Sequence, residues 1–198
     1  MTRPGRDRRE SFAERRERRA AIDDPAVVLE AAARFLEARS RSVHEVRRRL
    51  GSAGYRTELV EGAIGRMTEL GMLDDAVFAR AWVESRDRAR PRGERAIREE
   101  LRLKGIDRAT IDVVLGERRD RALETGSGDD GDGDLAPPSA DRTAAERLLA
   151  KNARALARVA DARQRRQRAY ALLARHGFDP ETCREVAATV ADEPDDGS

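Results

Sequence analysis

A chain that is 39% charged and 4% aromatic offers few side chains for covalent chemistry. Its one cysteine is Cys183, and its two histidines are His44 and His176. A reactive thiol needs a neighbouring base or cation, and a zinc site needs three or four nitrogen and sulfur ligands at set spacings. One cysteine and two distant histidines supply neither, and they exclude an intrachain disulfide. Asp74-Asp75 resembles a carboxylate pair fit for acid–base work. An Asp directly before a helix and another in its first turn are equally what a helix N-terminus asks for, and that reading explains both. The chain has no glycine-rich phosphate loop and no Ser/His/Asp arrangement. No cofactor, no metal and no enzymatic reaction are expected.

The abundant functional group is the guanidinium. Of 40 basic residues only Lys104 and Lys151 are lysines, which leaves 38 arginines. So extreme a ratio points to base composition of the genome, so position matters here and abundance does not. Residues 1–24 carry eight Arg against six acids; residues 124–140 carry five acids and residues 191–198 four, with no base in either. The remainder holds 32 basic against 23 acidic residues, so the body expected to fold is basic while its connecting segments are acidic. A basic body suits a polyanion or an acidic protein surface. The alternative is that interspersed Glu and Arg merely solvate helices.

The elements that must position these groups are helices. From Pro25 onward the apolar spacing is helical and no alternating strand pattern occurs. Residues 1–24 read as a basic flexible arm in which Glu14 and Arg18 form an i,i+4 pair without an apolar stripe. "GSGDDGDGDLAPPS" reads as a linker within an acidic segment, 124–140, and 191–198 reads as an acidic tail. No window approaches the ~20 apolar residues of a membrane span, and the first residues carry no apolar signal core, so a cytoplasmic protein is expected.

A repeat then emerges. Leu50, Leu101 and Leu173 align, with Val46, Ile97 and Ala169 one turn earlier. Gly54, Gly105 and Gly177 follow where a helix would end in the left-handed conformation. Tyr55, Ile106 and Phe178 come next as apolar plugs, then Val60, Ile111 and Cys183, then Ala63, Val114 and Val186. Cys183 thus falls in a core column, and His176 shares the column of Lys104, near a helix C-terminus. A further helix precedes each repeat, at about 26–39, 74–89 and 141–160. The spacing predicts three three-helix units over 25–72, 73–123 and 141–190. Their charged outer sides carry Arg47, Arg48 and Arg49; Arg95, Arg98 and Arg102; and Arg163, Arg165, Arg166 and Arg168. Arg47 and Arg98 share a column.

"GMLDDAVFARAWVESR", residues 71–86, holds the only Trp. Phe78, Ala81, Trp82 and Ser85 recur at i, i+3, i+4 and i+7, with Arg80, Glu84 and Asp87 opposite, so Trp82 is expected as a core anchor and not a base-stacking platform.

This stretch, followed by "GERAIREELRLKGI", resembles the central signature of the RecX family, regulators of the RecA recombinase. The matching positions are Leu73, Asp74, Asp75, Phe78, Trp82, Ile97, Leu101, Gly105 and Ile106. "SRSVHEVRRRL" with "GY", and "RQRAYALLARHGF", resemble that family's opening and closing units. The resemblance implies an all-α, elongated tandem array of three three-helix units that is no enzyme. It implies a protein that lodges in the groove of the RecA–single-stranded DNA filament, contacts DNA, and limits filament growth or persistence, hence regulating homologous recombination and DNA repair. Candidate contacts are Arg47, Arg48, Arg95, Arg98, Arg102, Lys104, Arg165, Arg166 and Arg168, in a chain expected to be a monomer. The competing expectation is a helix-turn-helix DNA-binding protein without recombinase specificity.

Overall fold

Short polar side chains set most of the helix starts. Ser11, Asp24, Ser42, Asp74, Asp107, Ser139, Asp161 and Asp179 each accept a hydrogen bond from a backbone N–H of the turn that follows. Each satisfies a donor that a helix N-terminus otherwise leaves orphaned. The computed structural model describes residues 10–126 and 139–190. Among them are ten α-helices and no strand: α1 (Phe12–Ala20), α2 (Pro25–Glu37), α3 (Val43–Ala53), α4 (Thr57–Glu69), α5 (Asp75–Ala89), α6 (Glu94–Leu103), α7 (Arg108–Gly126), α8 (Ala140–Ala157), α9 (Ala162–Arg175) and α10 (Pro180–Thr189). The all-α expectation holds, with α2–α4, α5–α7 and α8–α10 as the three three-helix domains.

The three aligned glycines do what their column predicts. Gly54, Gly105 and Gly177 have φ of 102°, 79° and 82°, a region that costs an L side chain energy and glycine none. The residue after each, Tyr55, Ile106 or Phe178, donates its N–H to the carbonyl of Leu50, Leu101 or Leu173, closing the turn against the same leucine column.

The helices sort into two compact units, one reaching to Phe78 and the other beginning at Ala79. In the first, Val28 and Ala32 of α2, Val46 and Leu50 of α3, and Val60, Ala63, Ile64 and Met67 of α4 make one core with Leu73. In the second, Ala145, Leu148 and Leu149 of α8, Ala169 and Leu173 of α9, and Cys183, Val186 and Ala187 of α10 make another around Phe178. Cys183 is fully buried there, and burial pushes its thiol pKa up, which suits a packed side chain and not a nucleophile. Ile97, Leu101, Ile106, Ile111, Val114 and Leu115 are likewise buried in the α6–α7 pair.

Within the second unit, α5–α7 and α8–α10 are fastened together by polar groups. Arg118 of α7 is 3% exposed. It donates to both oxygens of Asp87 on α5, at 3.1 Å, and to Asp141 on α8, at 2.6 Å. Burial opposes its charge, but the two carboxylates outweigh burial and hold the guanidinium more basic than usual. Burial also pushes the Asp141 carboxyl up, against the pull of Arg118 and of the Glu94 N–H. The guanidinium cannot release its proton near neutral pH, so it stands as a cation between the two carboxyl groups. Asp141 also accepts the Glu94 N–H at 3.0 Å with each oxygen, capping α6, whose own Gly93 has no side chain to do so. Gly93 donates its N–H to the His176 carbonyl at 3.1 Å.

The structure departs from the sequence reading in three places. Trp82 is not a core anchor: it is half-buried, and Ala81 and Ser85, expected on its face, are exposed. The buried stripe of α5 runs through Phe78, Ala79 and Val83, so the true face is turned by about 100°, one residue of helix. Ring size at position 82 outweighs the small residue at 79 in the sequence pattern, and Asp87, read as solvated, faces inward to Arg118. Second, the part of the arm that is described is not featureless: Phe12–Ala20 is a helix whose Ser11–Glu14 capping box starts it. No residue of α1 is buried. It is held instead by Arg19, which donates to the Ala53 carbonyl at the end of α3 and lies over the Tyr55 ring. Third, α7 continues to Gly126, into the expected linker. Residues 1–9, most of the linker at 127–138, and the tail at 191–198 lie outside the described residues.

Candidate partner-binding face

The signature residues that make the site's frame behave as a set. Leu73, Phe78, Ile97, Leu101 and Ile106 are all at most 4% exposed. Asp74 caps α5, accepting from Ala76 and Val77 at 2.8 and 2.9 Å. Asp75 does more than face the α5 dipole: it accepts the Val43 N–H at the start of α3 at 2.9 Å. Val43 and Glu94 share a repeat column, so Asp75 and Asp141 cap two equivalent helices from the first helix of the following domain. Around Trp82, Glu100 of α6 accepts the indole N–H at 2.8 Å and the Arg86 Nε at 2.6 Å. The Arg86 guanidinium and the Lys104 ammonium lie 4.2 and 4.9 Å from the ring centroid. The indole thus ties α5 to α6 through cation–π and charge-assisted contacts in place of burial.

The candidate contact residues fall into two classes. Arg47 of α3 makes a two-pronged bond to Glu61 of α4, at 2.6 and 2.7 Å, which holds the Glu61 carboxyl below its ordinary pKa. Arg98 of α6 bonds Asp112 of α7, likewise lowering that carboxyl, and reaches Glu94 at 3.2 Å. Arg102 pairs with Glu99 at 2.8 Å. Lys104 is engaged with Trp82, and Arg165 donates to the Val159 carbonyl at 3.1 Å. Arg48, Arg95, Arg166 and Arg168 are exposed and, among the described residues, pair with no carboxylate; the same holds for Arg163. His44 is exposed, and His176 caps α9 with its Nδ1 2.8 Å from the Leu172 carbonyl oxygen.

The sequence reading missed a feature that its own columns contain. Arg47 and Glu61 correspond to Arg98 and Asp112, and the ion pair across the last two helices recurs in the first two domains. In the third domain the same columns hold Tyr170 and Arg184, so no such pair forms. Helix α6 carries three Arg and three Glu, whereas α9 carries five Arg and no carboxylate. Equivalent surfaces are therefore neutralised in one domain and bare in another.

No ring of potential metal ligands, meaning three or more His, Cys, Asp or Glu, occurs among the described residues, and no described helix is long and apolar enough to cross a membrane. The chain matches the family models for the first, second and third three-helix domains of RecX over residues 29–67, 74–115 and 140–187. It is 32% identical over 163 residues to the regulatory protein RecX of Mycobacterium ulcerans, covering 82% of this chain and 84% of that one. It is 33% identical over 161 residues to that of Mycobacterium leprae, covering 81% and 84%. Two RecX crystal structures share the fold. The one from Lactobacillus salivarius has a TM-score of 0.65 at 18% identity, over 85% of this chain and 97% of that one. The other has a TM-score of 0.62 at 20% identity, over 82% and 70%. With all three domains present and in order, the chain belongs to the RecX family of regulatory proteins.

Proposed function

We propose that this protein is a negative modulator of a RecA-type recombinase: it binds the RecA–single-stranded DNA filament and limits its growth or persistence, and so regulates homologous recombination and DNA repair. The observation that carries the reading is the run of three RecX domains, in order, within one chain. On this reading the protein carries out no reaction, needs no cofactor, works in the cytoplasm and acts as a monomer. Bare arginines on α3, α6 and α9 supply contacts to an acidic protein groove or a phosphate backbone. The engaged ones add to them, since an exposed ion pair such as Arg47–Glu61 is worth only about 0–1 kcal/mol and can exchange its partner. Three linked domains, each binding weakly, bind together far more tightly.

The test is single-stranded-DNA-dependent ATP hydrolysis by the recombinase of the same organism, with this protein titrated well below the recombinase concentration. Inhibition at that ratio is expected of a regulator acting at few sites on a filament. Inhibition only when the protein saturates the DNA would refute the reading in favour of a helical DNA-binding protein without recombinase specificity.

A further inference from the structure

On α9 the residues Arg163, Arg166, Gln167 and Tyr170 stand at i, i+3, i+4 and i+7, one face of the helix. With Arg184 and Ala187 of α10 they line a shallow open depression. Tyr170 keeps 36% of its surface exposed at the foot of this face. Arg184 donates its Nε to the Pro180 carbonyl at 3.0 Å, which fixes the base of its guanidinium, and the residue is exposed. Among the described residues none of the three arginines pairs with a carboxylate. Glu181 and Glu185 are exposed on α10 but bond to none of them. The equivalent columns of the first two domains are closed by Arg47–Glu61 and Arg98–Asp112.

We propose that the α9–α10 face of the third domain is a binding site for single-stranded nucleic acid, with Tyr170 as a stacking platform for an unpaired base and Arg163, Arg166 and Arg184 holding the flanking phosphates. A phosphate backbone carries condensed cations; arginines without carboxylate partners displace them, and their release drives binding. A solvent-facing phenol ring among the arginines adds what a purely electrostatic patch lacks, a flat apolar surface that takes the face of any base. A duplex hides those faces in its stack, so the ring selects single strands. An acidic peptide would satisfy the arginines and leave the ring unused. This site deepens the proposed function by assigning the nucleic-acid contact to the third domain.

The experiment is fluorescence anisotropy of the full chain with a labelled oligothymidylate of about 15 nucleotides across a salt series, in the absence of recombinase. Tyr170→Ala is expected to weaken binding about tenfold, with the salt dependence unchanged, and Tyr170→Phe to bind like the parent. Arg163→Ala, Arg166→Ala and Arg184→Ala combined should reduce the slope of log K against log salt by about 2, at about 0.7 for each phosphate no longer neutralised. Circular dichroism confirms that each variant keeps its helices; all four side chains reach solvent. An unchanged affinity in Tyr170→Ala, or equal competition by duplex of the same length, would overturn the proposal even if the arginine variant binds less. The assay contains no recombinase, so it can fail while inhibition of ATP hydrolysis stands, and inhibition can fail while it succeeds.

Discussion

Replacing Arg118 with methionine removes a buried cation from between two carboxylates and keeps most of its volume. The Arg118 side chain is 3% exposed, and those of Asp87 and Asp141 are 24% and 16% exposed. Breaking a buried ion pair by deleting one partner costs about 3–5 kcal/mol, because the charge left behind is both desolvated and unpaired. Here the carboxylates retain some water and Asp141 keeps the Glu94 N–H, so the lower end applies, about 3 kcal/mol. The cost arises from the orphaned acids, which gives the reasoning a second handle. Adding Asp87→Asn and Asp141→Asn to Arg118→Met should recover at least half of it, since neutral groups of the same shape no longer demand a counter-charge. Urea unfolding followed by fluorescence reads the effect directly, because the single tryptophan, Trp82, lies in the same compact unit as Arg118. A loss below about 1 kcal/mol in the single variant, or no recovery in the triple, would refute the view that this cluster fastens α5, α7 and α8.

Trp82→Phe keeps a ring between Arg86 and Lys104 but loses the indole N–H bond to Glu100, and should cost about 1 kcal/mol by thermal melting; Trp82→Ala should cost about 2 kcal/mol, less than a fully buried Trp. A cost of about 4 kcal/mol or more for the alanine variant would restore the core-anchor expectation. Gly93→Ala builds a methyl group into the backbone of Gly177 and Phe178. It should destabilise by about 2–3 kcal/mol in urea, the range of overpacking where backbone must move, and a neutral result would mean that the α6–α9 approach is looser than described. Glu61 and Asp112 have carboxyls held below their ordinary values of 4.5 and 3.8 by hydrogen bonds from Arg47 and Arg98. A carboxyl with a depressed folded pKa contributes stability that is full above its unfolded pKa and lost as pH falls through the folded one. The melting temperature should therefore be flat from neutral pH to about 5 and fall below about 4.5, and Glu61→Gln should make that fall shallower. Greater stability in strong acid than near neutrality would contradict the sign.

The helices, the glycine turns and the core columns are legible in the sequence because each rests on local chemistry. A left-handed C-cap needs glycine, an N-cap needs a short acceptor, and a leucine at the same place in three repeats packs the same way. What stays hidden depends on neighbours far along the chain. Asp87 looks solvated until Arg118 arrives from α7, 31 residues later. The N-terminal turn of α6 has no cap of its own and borrows Asp141, 47 residues away. The orientation of α5 misleads because a helix with a large ring at its edge and an alanine at its centre reads, by size, as turned. For the candidate site, the arginines are visible and their state is not. Whether a guanidinium is bare or closed by a carboxylate on the next helix is decided across a helix end and a turn, 14 residues apart for Arg47 and Glu61. The exchange to Tyr170 and Arg184 is readable in the columns once the polar positions are followed as closely as the apolar ones.

The repeat shows which of its contacts are free to change. The capping of α3 by Asp75 and of α6 by Asp141 cannot be dropped without leaving a helix N–H unsatisfied, which costs about 1–3 kcal/mol when the group is buried. The exposed pair linking the last two helices is worth at most about 1 kcal/mol, so a domain without it folds nearly as well. Its loss is nonetheless large in electrostatics. Exchanging an Arg–acid pair for Tyr and Arg takes away a carboxylate, keeps a cation and adds an exposed ring, on a helix that has no acid to screen it. Small stability cost and large change in surface potential make this column a place where one copy of a repeated scaffold can acquire a function that its siblings lack. That asymmetry is why the third domain, and not the second with its fuller family signature, is where a nucleic-acid contact is to be sought.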